Sequence, residues 1–311
     1  MMETAAPEPE RKRKKNPLVE RAEYLLYRAI ASRTSGASDE SLQRWGDRLG
    51  WLTSRILRGR DRLAMRNLRA TFPDRTESEL RGILDRCWKH FGRETLAYLK
   101  ARTLSLEEIV ERCPIVNRHI LDDAIAEGKG VLLISAHFGG WEIAGLLLMS
   151  IVKNVRMVAR QLDNRLLEAD LVKLRARTGA EIIDRRKAAR LLMRSLAAGG
   201  VVVLLPDQAV QEREGVLVPF VGRKAWTTPA PAKMALRYDS PIVFGFCIPH
   251  GTGHRLEFEG PIRVGELTGD ARDAIHLTER INDVISSRII SQPELFLWMH
   301  DRWKATGKAN E

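Results

Sequence analysis

The sequence predicts an α/β protein: a mixed, mostly parallel sheet flanked by helices, preceded by a basic helical N-terminal region. Three observations carry that prediction. From residue 130 onward, short apolar runs bounded by turn residues alternate with helical stretches, as in parallel strands joined by helical crossovers. Before it, apolar side chains recur at helical spacing with basic residues on the other faces. The chain has 311 residues, 44% of them hydrophobic, enough for a sizeable core, which excludes disordered, fibrous and disulfide-stapled classes.

Residues 1–17 are rich in Pro, Glu, Lys and Arg and include the run Arg11-Lys12-Arg13-Lys14-Lys15, so a disordered basic tail is expected. Leu18, Ala22, Leu25, Leu26, Ala29 and Ile30 predict a first helix. Leu42, Trp45, Leu49, Leu52 and Ile56 predict a second, capped by Ser38 or Asp39. Thr76–Glu79 reads as a capping box opening a helix that runs to Lys100, and Ser105–Glu108 as another. Val131–Ile134, after Gly-Lys-Gly, reads as a buried strand. Val155–Val158, Glu181–Ile183, Val201–Leu205, Ile242–Ile248 and Leu256–Phe258 are comparable runs. Helices are expected over 141–152, 164–178, 186–198, 229–238 and 271–290. The organisation expected is a basic tail (1–17), a helical, membrane-associating region (18–120) and an α/β core (121–305).

The formal net charge is +11, and residues 1–100 hold 22 Lys+Arg against 14 Asp+Glu, a net of +8. Such a basic flank favours an anionic partner, either a membrane face or a nucleic acid. Cys87, Cys113 and Cys247 form no CxxC pair, which argues against a disulfide framework or a zinc site and fits a reducing compartment. The N-terminus lacks the apolar core of a signal peptide, and no run reaches the roughly 18 apolar residues of a spanning helix. The nearest candidate, Val131 to Val152, contains His137 and Glu142 and is interrupted by Gly139-Gly140. A membrane would be met at its surface.

The sequence contains no GxSxG elbow, no GxxxxGK[ST] phosphate loop, no GxGxxG after a strand and no HExxH, so nucleotide-binding and serine-hydrolase readings lose support. What stands out is Ile134-Ser135-Ala136-His137-Phe138-Gly139-Gly140-Trp141-Glu142. A strand runs directly into His137, two glycines make a turn, and a helix carrying Glu142 begins. Sites in open α/β sheets form at the carboxyl ends of strands. A neutral imidazole there suits proton removal from an alcohol, and a carboxylate on its other ring nitrogen would fix the tautomer. Glu142 is the expected carboxylate. The bland alternative is a histidine that ends a strand and bonds a backbone carbonyl.

His-x4-Glu at a strand end resembles the HX4D/E motif of the lysophospholipid acyltransferase superfamily, and its context resembles the lipid A acyltransferase branch. Arg66-Asn67-Leu68 with Phe72-Pro73, Asp163-Asn164, Pro206-Asp207-Gln208, Val218-Pro219-Phe220 with Thr227-Thr228, and Pro293 through Trp298-Met299-His300-Asp301-Arg302-Trp303-Lys304 are similar, in order, to that family's elements. The likeness spans residues 55–305. It implies His137 as general base and Glu142 as the acid that orients it. It also implies Arg175, Asp207, Arg160 and Asn164 as substrate-binding residues, Arg175 on a phosphate and Asp207 as a second acid.

The implied reaction moves a fatty acyl chain from an acyl-carrier-protein or coenzyme A thioester to a hydroxyl of a membrane glycolipid. A lipid A precursor is expected first, with a phosphatidylinositol mannoside as the alternative. No cofactor and no metal are expected, since thioester acyl transfer by a general base requires neither. Many relatives carry an N-terminal transmembrane helix, whereas the stretch here is amphipathic and charged. A peripheral seat on the anionic cytoplasmic face of the bacterial inner membrane is therefore expected.

Blander readings accompany several residues. Arg175 lies with Lys173 and Arg177 on what could be a solvated basic face, and Asp207 could cap a turn. Trp298, Trp303 and His300 could be packing residues, and His250 and His254, around Gly-Thr-Gly, make only a weak metal pair. A nucleic-acid-binding protein would explain the charge but not the turn. No recognition motif supports it, so no nucleic-acid partner is expected. A catalytically dead membrane-binding relative is the third reading.

Overall fold

A computed structural model of the chain describes residues 16–159, 162–178, 181–184 and 188–306 (backbone only at 158–159, 173–178, 181–184 and 188), and the expected basic tail lies almost wholly outside them. Caps set the first helices. Asn16 accepts from the Leu18 N–H to open α1 (Pro17–Ser35), and Ser38 accepts from Ser41 to open α2 (Asp39–Ile56). α3 (Arg58–Thr71) follows after a break at Leu57. Both capping boxes form, Thr76 with Glu79 opening α4 (Glu77–Ala101) and Ser105 with Glu108 opening α5 (Leu106–Glu111).

α2 and α4 pack with their backbones nearly touching. A Cβ at Gly50 would collide with the Trp88 carbonyl, and one at Gly92 with the Gly46 carbonyl. α2 and α4 thus approach through glycine, with Leu42, Leu96 and Leu99 packed beside the contact, a closeness that apolar spacing alone does not reveal.

Beyond them run β1 (Ile115–Val116), α6 (Arg118–Ala126), β2 (Val131–Ile134), α7 (Trp141–Ile151), β3 (Val155–Ala159), α8 (Arg165–Thr178), β4 (Glu181–Asp184), α9 (Ala188–Ala197) and β5 (Val201–Leu204). A hairpin follows, β6 (Val216–Phe220) and β7 (Arg223–Thr227), then α10 (Ala230–Tyr238), β8 (Ile242–His250), β9 (Gly253–Ile262) and α11 (Ala274–Ser291). Among the described residues one seven-stranded sheet has the order β1-β9-β8-β2-β5-β3-β4, and only the β8–β9 pair is antiparallel. This is the mixed, mostly parallel sheet the alternation predicts.

β2 lies at its centre, and all four of its residues are buried. Leu132 and Ile134 join the core layer containing Leu277, Ile281 and Ile285 of α11. Val131 and Leu133 join the other layer, with Leu146 and Leu147 of α7. Coverage of both faces is why the strand reads as an unbroken apolar run instead of an alternating one.

Four features are absent from the sequence reading: α3, β1, α6 and the β6–β7 hairpin. The hairpin's two-residue loop, Val221-Gly222, has both residues at positive φ, 50° and 75°. That is the backbone of a type I′ turn, but valine hides a signal that Asn or Asp would have given. No helix among the described residues is long and apolar enough to cross a membrane.

Candidate active site

The site grows out of two neighbouring parallel strands. Ile134 at the end of β2 is paired with Leu204 at the end of β5, and the Ser135 N–H donates to the Leu204 carbonyl at 3.0 Å. Three residues beyond these partners stand His137 and Asp207. The Asp207 Oδ2 accepts from the His137 backbone N–H at 3.1 Å, and its Oδ1 lies 3.0 Å from Nδ1 of the imidazole. A carboxylate only accepts, so the ring proton sits on Nδ1. Nε2 then carries the lone pair, and it accepts from the Gln208 side-chain amide at 3.1 Å.

Exposure divides the roles: the His137 side chain is 21% exposed and that of Asp207 only 2%. Burial disfavours the imidazolium, but the charge and hydrogen bond of Asp207, with a further contribution from the charge of Glu142, raise the His137 pKa above its ordinary value. Asp207 responds in the opposite sense. Burial pushes it up, yet His137, its hydrogen bonds and the charge of Arg302 hold it below the usual carboxylate range.

The turn after His137 is clamped from two directions. Gly139 has φ +61°, and a Cβ there would strike the Cys247 carbonyl of β8. The Gly139 N–H donates to Leu295 O at 2.9 Å, the Gly140 N–H to Cys247 O at 2.8 Å, and the Leu297 N–H to His137 O at 3.1 Å. Both glycine N–H groups are therefore engaged within the fold and are not free to serve as oxyanion donors. The Trp141 ring lies 5.4 Å from the imidazole, tilted by 57°, with Phe91 at 5.7 Å on Trp141.

The C-terminal segment supports the acid. Asn67 donates to the Trp298 and His300 carbonyls at 3.0 and 3.2 Å, and His300 Nε2 accepts from the Ala209 N–H at 3.1 Å, two residues past Asp207. Arg302, fully buried, donates to Trp226 O and Thr227 Oγ1 at 2.6 and 2.5 Å. Burial lowers its pKa to about 10, with Asp207 opposing the fall. Trp298 and Trp303 stack 6.5 Å apart at 15°, so both tryptophans pack, as the blander reading has it.

The residues named from sequence fare differently. Asp207 is the partner of Nδ1, the place expected for Glu142. Glu142 instead lies exposed in the first turn of α7, where a carboxylate complements the positive helix N-terminus, and it reaches His137 through charge. The reason is directional: Nδ1 faces the end of β5, not the helix that follows the turn.

Asn164, expected at the substrate, is 3% exposed and anchors the fold. Its Oδ1 accepts from the Leu166 and Leu167 N–H groups to open α8, and its amide donates to Glu20 O and Glu23 Oε2 on α1, both at 2.9 Å. Arg175 stands in α8 but its side chain lies outside the described residues, as does all of Arg160. The sequence assigns Gln208 and Arg302 no role of their own. Their signal was proximity, to Asp207 in sequence for Gln208 and to a buried acid in space for Arg302. Among the described residues no group of three or more His, Cys, Asp or Glu side chains is placed to hold a metal ion.

Comparison with known proteins adds an independent line. The family model for bacterial lipid A biosynthesis acyltransferases matches residues 23–305. The lipid A biosynthesis lauroyltransferase of Escherichia coli K12 is 26% identical over 266 residues, covering 85% of each chain. A lipid A biosynthesis acyltransferase of Haemophilus influenzae is 24% identical over 269 residues, 85% of this chain and 84% of that one. A phosphatidylinositol mannoside acyltransferase of Mycobacterium tuberculosis is 25% identical over 189 residues, 60% of this chain and 58% of that one.

Proposed function

The chain belongs to the bacterial lipid A biosynthesis acyltransferase family and is an acyltransferase, and from that premise we propose that it esterifies a hydroxyl of a lipid A precursor. The donor is a fatty acyl thioester of acyl-carrier protein or coenzyme A. One observation supports the chemistry above all others: an imidazole held by a buried carboxylate at Nδ1, with its Nε2 lone pair directed at a hydrogen-bond donor near the surface.

In this mechanism the acceptor hydroxyl takes the place of the Gln208 amide at Nε2. His137 removes its proton as the oxygen attacks the thioester carbonyl, forming the C–O bond. The tetrahedral oxyanion collapses, the C–S bond breaks, and the imidazolium returns its proton to the departing thiolate. Asp207 stabilises the imidazolium by contact and Glu142 by charge. Arg175 and Arg160 would bind phosphate on acceptor or donor, for which a guanidinium fork is suited.

The N-terminal helices would seat the enzyme on the anionic cytoplasmic face of the inner membrane. α1 exposes Leu18, Leu25 and Leu26 at 76%, 60% and 64%, and α2 exposes Trp51 and Ile56 at 56% and 68%. Exposed arginines flank them, among them Arg21, Arg28, Arg48 and Arg55. Apolar side chains beside cations suit an interface of acyl chains and acidic headgroups.

The test is transfer from labelled acyl-carrier protein or acyl-CoA to a tetraacyl lipid A precursor, run beside His137→Ala. Transfer by the wild type and its loss in a folded mutant is the expected result. An active His137→Ala would overturn the mechanism. No transfer to the precursor would overturn the acceptor, and phosphatidylinositol mannoside would be assayed next on the strength of the mycobacterial relative.

A further inference from the structure

The catalytic turn rests on a second cluster of titratable side chains. A Cβ at Gly140 would come within 2.7 Å of Glu94 Oε2 and 2.8 Å of His254 Cδ2, so the turn packs directly on this pair. Glu94, on α4, lies 3.0 and 2.9 Å from His254 Nε2 through its two oxygens, and His254 comes from the start of β9. One turn earlier on α4, His90 Nδ1 lies 3.6 Å from Glu94 Oε1. The His90 ring also faces the Gly139 carbonyl.

His90 is buried and Glu94 and His254 nearly so, with side chains 6%, 12% and 11% exposed. Among the described residues His90 Nε2 has no hydrogen-bond partner. Burial disfavours the charged form of each. The charge and hydrogen bond of Glu94 nonetheless raise His254, and His254 in turn lowers Glu94, while for His90 burial prevails and lowers it.

A carboxylate–imidazole pair shielded from water does little for stability that apolar side chains of the same volume would not do. Its place against a glycine that only a missing side chain allows gives it another use. Cys247 O, Leu295 O and the Leu297 N–H hold the turn through its backbone, and the Glu94–His254 pair closes the remaining approach, at the Gly140 Cα.

We propose that Glu94, His254 and His90 are positioning residues for acyl transfer, fixing the Gly139-Gly140 turn and through it the aim of His137. The proposal rests on the acyl-transfer reading above. The cluster also lines a cavity of about 410 Å³ between α2, α4, α5 and the β8–β9 turn, which supplies the competing outcome.

The experiment uses the full chain with Glu94→Ala, Glu94→Gln, and the double variant Glu94→Ala/His254→Ala, which leaves neither partner of the pair stranded if the single change fails to fold. Steady-state kinetics are read beside ¹⁵N spectra of the histidine rings, with the His137 signals assigned from a His137→Gln spectrum. A misplaced base costs up to roughly 100-fold, so kcat is expected to fall about 10- to 100-fold in Glu94→Ala with KM unchanged. His137 is expected to lose its single Nδ1–H signal set, and Glu94→Gln, which keeps the shape and a hydrogen bond, to recover most of both.

Folded alanine variants with unchanged kcat and unchanged His137 signals would overturn the proposal. So would a rise in KM at constant kcat, which would make the cluster part of a substrate site in the cavity. If the wild type transfers no acyl group, the acyl-transfer reading fails, while the ring signals still report whether the cluster positions His137.

Discussion

His137 and Asp207 each stand three residues beyond a paired position, Ile134 on β2 and Leu204 on β5, and their side chains meet at 3.0 Å. Two parallel strands that leave the sheet in register deliver side chains 70 residues apart to the same point. The carboxylate is sealed and the imidazole partly open, as the proposed proton transfer through His137 requires. Four predictions extend from this arrangement and from the helices around it.

Asp207→Asn should reduce kcat by roughly 10²- to 10⁴-fold, since an amide no longer enforces the tautomer or stabilises the imidazolium. The pH dependence has a definite sign. His137 must be neutral to accept a proton, and its raised pKa places the acid limb of kcat/KM above the ordinary histidine value. Removing Asp207 leaves burial as the main influence, so the limb should move to lower pH. Glu142→Gln should move it the same way by less. Rate profiles of the three proteins decide this, and an unmoved limb in Asp207→Asn would contradict the pairing.

Gln208 donates to the same nitrogen that the acceptor hydroxyl must reach. If its amide only competes for that place, Gln208→Ala removes a hydrogen bond worth about 1 kcal/mol, and the acceptor KM should fall by up to about fivefold with kcat retained. A collapse of kcat would instead make the amide a donor to the transition state. Saturation kinetics in the acceptor separate the two.

Gly92→Ala should destabilise the protein by about 1–3 kcal/mol in denaturant unfolding, because its Cβ must enter the space of the Gly46 carbonyl. Gly59, also helical, meets nothing within 4 Å. Gly59→Ala should therefore be neutral or stabilise by up to about 1 kcal/mol through helix propensity and a less flexible unfolded chain. Equal effects at the two sites would refute the close α2–α4 contact.

Leu25→Glu with Leu26→Glu should weaken sedimentation with phosphatidylglycerol vesicles by about tenfold or more, given the roughly 1.5 kcal/mol or more of each buried leucine. Binding by the wild type should also fall as salt is raised. Vesicle binding that ignores both changes would move the docking face away from α1.

Local signals were enough for much of this protein. The capping boxes at Thr76 and Ser105, the buried run Val131–Ile134 and the strand–histidine–glycine turn at His137 depend on neighbours within a few residues, and each is where the sequence places it. The alternation after residue 130 likewise determined the mostly parallel sheet, because strand and helix periods are properties of short segments. Hidden were the elements whose local cues are weak: α3, with few apolar positions, and the hairpin whose type I′ turn carries Val221.

Which groups meet was decided elsewhere. Glu142 is five residues from His137 in the chain, yet Asp207, 70 residues away, holds the ring nitrogen. Asn164 has the composition of a ligand contact but is engaged in capping α8 and tying it to α1. Arg302 reaches the Thr227 hydroxyl, Asn67 the His300 carbonyl, and Glu94 the imidazole of His254. Sequence determined the elements and the place of His137 at a strand end, because backbone propensity and apolar period act over a few residues. Tertiary structure alone chose the carboxylate that meets the imidazole and the groups that support it, because register and burial bring together residues that no local pattern relates.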